Sequence, residues 1–321
     1  MKTLPSLYRY LPRHDTDAPS AVTIGNFDGV HRGHQAILAR VCEHARTHGL
    51  LAGVMTFEPH PRAYFAARAQ RPELVPTQVN SLRDKVTALA RLGMQQIVIQ
   101  RFNQSLADMS ADDFIRELLV RGLQTRWLLV GEDFRFGHKR SGDITLLRQA
   151  GRRHGFTVET IADIPDVHGH RISSSELRTA LAVGRLDRAR HLLGHPYQLS
   201  GHVVHGQKLG RRLGYPTLNV RVPVHCALRS GIYVVQAHGL GDTPLPGIAS
   251  LGVRPTVTHT GRLLLEVHLL DCSVNAYGKL VCIEFLQYLR DEEKFPDLPT
   301  MIAAIDNDAQ GARDYFAFHG L

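Results

Sequence analysis

The sequence predicts two domains of different class. An α/β half built on a parallel sheet comes first, and a mostly β half that closes as an antiparallel barrel follows. Three observations predict this. In the first half, short apolar runs alternate with longer segments of helical period. Beyond about residue 185 that alternation stops, and short β-rich runs follow one another between Gly, Pro and Asn. At 321 residues, with 43% apolar and 21% charged, the chain is long enough for two ordinary domains with cores of their own.

The elements of the first half justify themselves in turn. "AVTIGNF" is a buried strand, residues 32–48 a helix, and "LLAGVMTF" a second strand. "SLRDKVTALARLG" places Leu82, Val86, Leu89 and Leu92 at helical spacing, with Ser81 as N-cap and Gly93 as stop. "QQIVIQRF" is a strand. "SADDFIRELLVRGL" is a helix whose Ser110 and two acidic residues suit its N-terminal dipole. "RWLLVGEDF" is again a strand, "GDITLLRQAGRRHG" a helix ending at Gly155, and "FTVETI" a strand. Strands alternating with helices predict a parallel sheet covered on both faces. In the second half "YQLSGHVVHG", "SGIYVVQAHG", "LPGIASLGV", "RLLLEVHLL" and "KLVCIEFLQYLR" are barrel strands, and "LPTMIAAIDNDAQGARDYF" is a closing helix. The change of texture near "AVGRLDRARHLLGHPY" divides the chain into residues 1–186 and 187–321.

Composition narrows the function. The formal net charge is +8, which fits nucleic acid, phosphate-bearing small molecules or plain solubility. The basic residues are spread out rather than massed in a block. The start "MKTLPSLYRYLPRHDTD" lacks the apolar core of a secretory signal, and there is no 18-residue apolar run. Cys42, Cys226, Cys272 and Cys282 form no CxxC pair and no zinc-type spacing, which points to reduced thiols. The cytoplasm is the expected compartment, with no membrane partner and no nucleic acid. Oligomeric state stays open.

The stretch "GNFDGVHRGHQ" carries the chemistry. It lies between the first strand of the pattern and its first helix, where open parallel sheets bind ligands. Gly25 and Gly29 allow a tight turn and close backbone approach. Asn26, Phe27 and Asp28 share that loop. N–H groups at a helix start favour a phosphate. His31 and His34, three apart with Gly33 between them, lie on one side of the first turn and can both face that phosphate. No GxxxxGK[ST] occurs, so this is not a P-loop. "RISSSELRTAL" offers a second phosphate clamp from Ser173, Ser174, Ser175 and Arg178. Taken alone, however, it is an ordinary serine cap beside a solvated arginine. "TFEPHP" and "VGEDFRFG" sit at strand ends and suit a planar ligand.

Together these segments resemble bacterial bifunctional FAD synthetases, the riboflavin kinase/FMN adenylyltransferase family. "GNFDGVHRGHQ", "TFEPHP", "VGEDFRFG" and "ISSSELR" come in the family's order. So do "GHVVHGQKLGRRLGYPTLN", "GIYVV", "LGVRPT", "LEVHLLD" and "FLQYLRDEEKF". The resemblance covers roughly residues 18–316. It implies a Rossmann-like nucleotidyltransferase domain that moves AMP from ATP to FMN, forming FAD and pyrophosphate. It also implies a barrel kinase that phosphorylates riboflavin to FMN with ATP and Mg²⁺. In the first half it implies catalytic roles for His31, His34 and Arg178. It implies ATP binding by Gly25, Asn26, Phe27, Asp28, Gly29, Ser174 and Ser175, and flavin binding by Asp133, Phe134 and Phe136. In the second half it implies metal binding by Thr217 and Asn219, a catalytic base in Glu266, and phosphate contacts from Lys208 and Arg211. Arg290 and Phe295 fall near the flavin end. Cys272, Ala276, Ser250 and Leu251 depart from residues common in the family at those positions.

Two other readings use the same residues. One is an FMN adenylyltransferase with an inactive kinase half, against which stand Thr217, Asn219 and Glu266. The other is an RNA-related HxGH protein, which would carry a KMSKS-like lysine loop where this chain has "ISSSELR".

Overall fold

The computed structural model describes residues 6–8, 18–166, 169–206, 214–254, 262–272 and 274–321. Two compact units emerge. The first comprises residues 1–76 and 85–173, and the second comprises 77–84 and 174–321.

The first unit is built on six strands: β1 (Ser6–Tyr8), β2 (Ser20–Ile24), β3 (Leu51–Glu58), β4 (Gln96–Arg101), β5 (Thr125–Gly131) and β6 (Thr157–Ile161). Their order is β1-β4-β3-β2-β5-β6, and every pair is parallel. Its helices are α1 (Arg32–His48), α2 (Pro61–Arg68), α3 (Leu82–Arg91, of which residues 82–84 count with the second unit), α4 (Gln104–Ala107), α5 (Ala111–Asp113) and α6 (Ile144–His154). The turn of α5 runs straight into a π-helical segment, Phe114–Gly122.

Period-2 alternation explains the layers. Val22 and Ile24 of β2, with Leu128 and Val130 of β5, pack against the π-helical segment and α6. Ala21, Val54, Ile97 and Leu129 face the other way, onto Leu38, Val41 and Ala45 of α1 and Leu89 of α3. Each fully buried Leu or Val in these layers stabilises the fold by about 1.5–3 kcal/mol. The caps form where the sequence places them. Ser81 accepts from the Asp84 N–H at 3.1 Å and Ser110 from the Asp113 N–H at 3.0 Å. Gly155 ends α6 at φ 77°.

In the second unit α7 (Ser174–Ala182) and α8 (Leu186–Leu193) precede the barrel strands β7 (Tyr197–Val204), β8 (Thr217–Val220), β9 (Gly231–His238), β10 (Leu245–Arg254), β11 (Arg262–Leu269) and β12 (Leu280–Arg290). They close as β10-β11-β8-β7-β12-β9. Leu199, Val235, Leu251, Leu265, Val267 and Ile283 are fully buried on alternate strand positions. The helix α9 (Leu298–His319) seals one side, packing Ala309, Ala312 and Phe316 on Val234, Ile248 and Leu270. "PTLN", which alone reads as a turn, enters β8 and pairs with β11. Residues 77–84 dock within this unit. The Gln78 N–H donates to the His225 carbonyl at 2.6 Å and the Ala227 N–H to the Gln78 carbonyl at 2.9 Å. The Tyr197 hydroxyl donates to the Val79 carbonyl at 2.6 Å.

Candidate active sites

In the first unit β2 is flanked by β3 on one side and β5 on the other, so strand order reverses at β2. The loop that leaves β2 therefore opens at the switch point of the sheet, where ligands bind. Its backbone is strained. Phe27, Gly29 and Val30 adopt φ of 47°, 84° and 43°, and a β-branched residue rarely accepts that region. The Phe27 and Val30 side chains are sunk into the core. Phe27 thus anchors the loop, and only its backbone can meet a ligand.

His31 is the N-cap of α1, with φ −65° and ψ 169°. Its Nδ1 accepts from the His34 N–H at 3.3 Å. A neutral His31 therefore carries its proton on Nε2. One helix-start N–H that the sequence assigns to a phosphate is thus used by the histidine itself. The two imidazoles stack, with centroids 3.7 Å apart and planes at 14°. Phe27 lies against His34 at 5.0 Å. A Cβ on Gly33 would stand 3.2 Å from Cε1 and Nδ1 of His31, so glycine lets the ring lie flat on the helix. Beside the pair, the Asn26 carbonyl accepts from the Thr56 hydroxyl at 3.0 Å. The Asn26 side-chain oxygen Oδ1 is buried with no hydrogen-bond partner among the described residues. Asp28 is buried in the same loop.

At the end of β5, Asp133 is exposed and Phe134 half-buried. Phe136 belongs to the core, its ring 5.2 Å from Phe114 and 5.7 Å from Phe134. Of these three, Asp133 and Phe134 can reach a ligand. Ser174, Ser175 and Arg178 lie on α7 in the second unit, where the Arg178 Nε donates to the Thr77 carbonyl at 2.8 Å. Sequence reasoning singled out "TFEPHP" but missed what surrounds it. Phe57, Tyr64, Phe65 and Phe102 form an aromatic cluster with centroids 5.3–6.0 Å apart, and Phe65 is 50% exposed. Their only sequence signal is aromatic residues near two strand ends. Lys85 was missed as well; it is buried although it sits on an amphipathic helix.

The second constellation is set by strand register. Glu266 of β11 stands directly opposite Asn219 of β8, and His268 opposite Thr217. Directly opposed residues project to one face, so these four share it. Leu265 and Val267 point into the barrel, which puts the four on the outer face. The His268 ring meets the Pro216 carbonyl at 3.0 Å. Asn219 is buried, and its Oδ1 has no hydrogen-bond partner among the described residues. A side chain on Gly206 would overlap the Asn219 amide. Thr217 opens onto a cleft of about 580 Å³ shared with Cys272, Ala276 and Tyr277. Two of the family departures therefore line the same cavity as Thr217. Ser250, another departure, opposes Glu266 on β10 and donates to Glu292 at 2.8 Å.

Arg290 follows a bulge in β12. It grips Asp308 of α9 through Nε at 2.9 Å and Nη2 at 2.7 Å, and lies over Phe295 at 5.7 Å. The carboxylate holds its guanidinium above the usual arginine range. Lys208 and Arg211 lie outside the described residues.

A parallel α/β sheet with a histidine loop at its switch point, joined in one chain to a closed antiparallel barrel, is the architecture of a two-domain nucleotide-dependent transferase. The FAD synthetase family pattern matches residues 13–176, and the riboflavin kinase pattern matches residues 193–316. A bifunctional riboflavin kinase/FMN adenylyltransferase from Escherichia coli K12 is 42% identical, over 92% of each chain. One from Pseudomonas fluorescens is 42% identical over 98% of this chain and 97% of its own. A solved structure described as a macrolide-efflux protein from Streptococcus pneumoniae shares the fold at TM-score 0.80 and 26% identity, covering 97% of this chain and 99% of that one. Among the described residues no helix is long and apolar enough to cross a membrane. The chain belongs to the bifunctional riboflavin kinase/FMN adenylyltransferase family. It carries both transferase activities, with ATP, riboflavin, FMN and FAD as substrates and products.

Proposed function

We propose that AMP transfer takes place at the histidine loop and riboflavin phosphorylation on the outer face of the barrel, with the functional halves being residues 1–186 and 187–321. The observation that carries the first assignment is the stacked imidazole pair at the start of α1, on the switch point of the sheet. His31 and His34 bind the ATP phosphates and stabilise charge that develops on them. Gly25, Phe27 and Gly29 offer backbone, and Asn26 and Asp28 offer side chains to the nucleotide. The family resemblance assigns the β/γ phosphates to Ser174, Ser175 and Arg178. Asp133 and Phe134 lie toward the flavin, with Phe136 supporting Phe134 from below. A phosphate oxygen of FMN attacks the α-phosphorus, the bond to the β-phosphate bridging oxygen breaks, and pyrophosphate leaves. Positioning and electrostatics suffice, and no covalent enzyme intermediate is needed.

On the barrel, Glu266 orients the ribityl 5′-hydroxyl and takes its proton as the oxygen attacks the γ-phosphorus, releasing ADP. Thr217 and Asn219 would hold Mg²⁺, and the buried, unpartnered Oδ1 of Asn219 fits that role. Magnesium takes hard oxygen donors and completes its shell with water and substrate phosphates. Bound there, the ion would neutralise phosphate charge. Lys208 and Arg211 would cover the phosphates. Arg290, fixed by Asp308, would hold Phe295 toward the flavin. ATP as substrate and four free cysteines fit the cytoplasm.

The test is a product assay with riboflavin, ATP and Mg²⁺, resolving riboflavin, FMN and FAD over time. FMN should appear first and FAD after it. FAD from supplied FMN, with nothing from riboflavin, would sink the kinase assignment.

A further inference from the structure

Lys85 lies in the first turn of α3 and is only 6% exposed. A lysine ammonium is almost never buried without partners, because desolvation is costly. The helix leads into β4, which pairs with β3, so its first turn stands at the carboxyl edge of the sheet. Two carboxylates occupy that edge. Asp28, in the histidine loop, is 7% exposed, and Glu58, the last residue of β3, is half-buried. The two segments are tied together. The Gly25 N–H donates to the Met55 carbonyl at 3.1 Å and the Thr56 hydroxyl to the Asn26 carbonyl at 3.0 Å. Burial pulls the Lys85 ammonium below the ordinary lysine value, while Glu58 and then Asp28 pull it back. Burial pushes the Glu58 carboxyl up, Lys85 opposes this, and Asp28 adds to it.

Nothing in the transfer derived above uses this lysine. Yet an anionic nucleotide approaching the loop meets two carboxylates, and like charges repel strongly where water is excluded. We propose that Lys85 is a positioning residue of the adenylyltransferase half: its buried ammonium offsets Asp28 and Glu58, so that the histidine loop keeps its shape and the triphosphate can bind beside it. The inference rests on assigning AMP transfer to that loop.

The experiment measures FAD formation from FMN and, separately, FMN formation from riboflavin, in the full chain. Lys85→Met should raise the KM for ATP in FAD formation about tenfold, the scale of one unit charge at several ångströms. Its kcat should stay within about a factor of two, and FMN formation should not change. Adding Glu58→Gln to Lys85→Met should return most of the KM, because the uncompensated carboxylate is gone. A purely structural lysine would lower the melting temperature without this rescue. An unchanged KM in Lys85→Met, or a raised KM that Glu58→Gln does not lower, overturns the proposal. If Lys85→Met does not fold, Glu58→Gln alone decides: a KM for ATP lowered two- to threefold by the lost repulsion supports the proposal, and an unchanged or raised KM refutes it. A wild-type chain that makes no FAD from FMN would sink the underlying assignment, which is a separate failure.

Discussion

The two halves of this chain place their functional groups by opposite means. The histidine site is local. His31 caps the helix that carries His34, one hydrogen bond links them, and Gly33 between them lets the rings stack. The barrel site is distant in sequence. Asn219 and Glu266 meet only because β8 and β11 pair in one register. A slip of one residue would turn every side chain of a strand to the other face. The local site stores backbone strain at Phe27 and Val30, whereas the barrel site sits on regular strands. Short-range geometry can hold two rings against each other, but an amide and a carboxylate from separate strands need a closed sheet to fix them.

That contrast can be broken experimentally. The largest effect is expected for Glu266→Gln, which keeps the strand pairing and removes the carboxylate proposed as base. FMN formation should fall about 10³-fold, with FAD formation from FMN intact. Loss of both activities in a folded protein would end the two-site division. His34→Ala is expected to lower FAD formation about 10²-fold or more, the scale of a lost transition-state donor, and to spare FMN formation. Gly33→Ala sharpens the local side of the comparison. The new methyl must displace the His31 ring by a few tenths of an ångström, and FAD formation should fall about tenfold, since small misplacements cost rate. Alanine favours the helix by up to about 1 kcal/mol, so the melting temperature should hold or rise while activity drops. A variant that loses stability and activity together would count against the ring-support role. The smallest effect belongs to Arg40→Ala on the same helix. Arg40 pairs with Glu159 at 2.9 Å, but both side chains are more than two-fifths exposed. The change should cost under about 0.5 kcal/mol and leave both product rates alone.

The same division marks what the sequence makes legible. The helix Arg32–His48 spans the range that spacing predicts, and Ser81, Ser110 and Gly155 cap as read. These are local signals, decided within a turn or two. "PTLN" alone looks like a turn because its strand pairing depends on β11, far along the chain. α8 was hidden in the segment read as a boundary, and α2 in the loop after "TFEPHP". The shift to π geometry at Phe114 has no signal in residue pattern. Lys85 is the instructive miss. Its helix has a clear apolar stripe, and Lys85 lies on it, one turn from both Leu82 and Leu89, yet a lysine by residue type reads as solvated. Only the tertiary structure shows it buried at the sheet edge that also carries Glu58 and Asp28. Phe27 and Phe136 teach the converse. Motif membership marks them for ligands, and the packed core claims their rings.

Residues 77–84 carry a consequence for the gene. They are encoded before the last three strands of the parallel sheet, yet they bond to Tyr197, His225 and Ala227 of the barrel unit. A coding sequence cut once, near codon 186, would strand this piece in the wrong product. The barrel expressed alone would leave the Tyr197 hydroxyl and two backbone groups without their acceptors and donor. A single recombination event could not exchange one enzyme of the pair cleanly for a homologue's. Lineages that inherit the barrel would also have to inherit an eight-residue fragment from within the other half's coding segment, and this interleaving ties the two activities into one heritable unit.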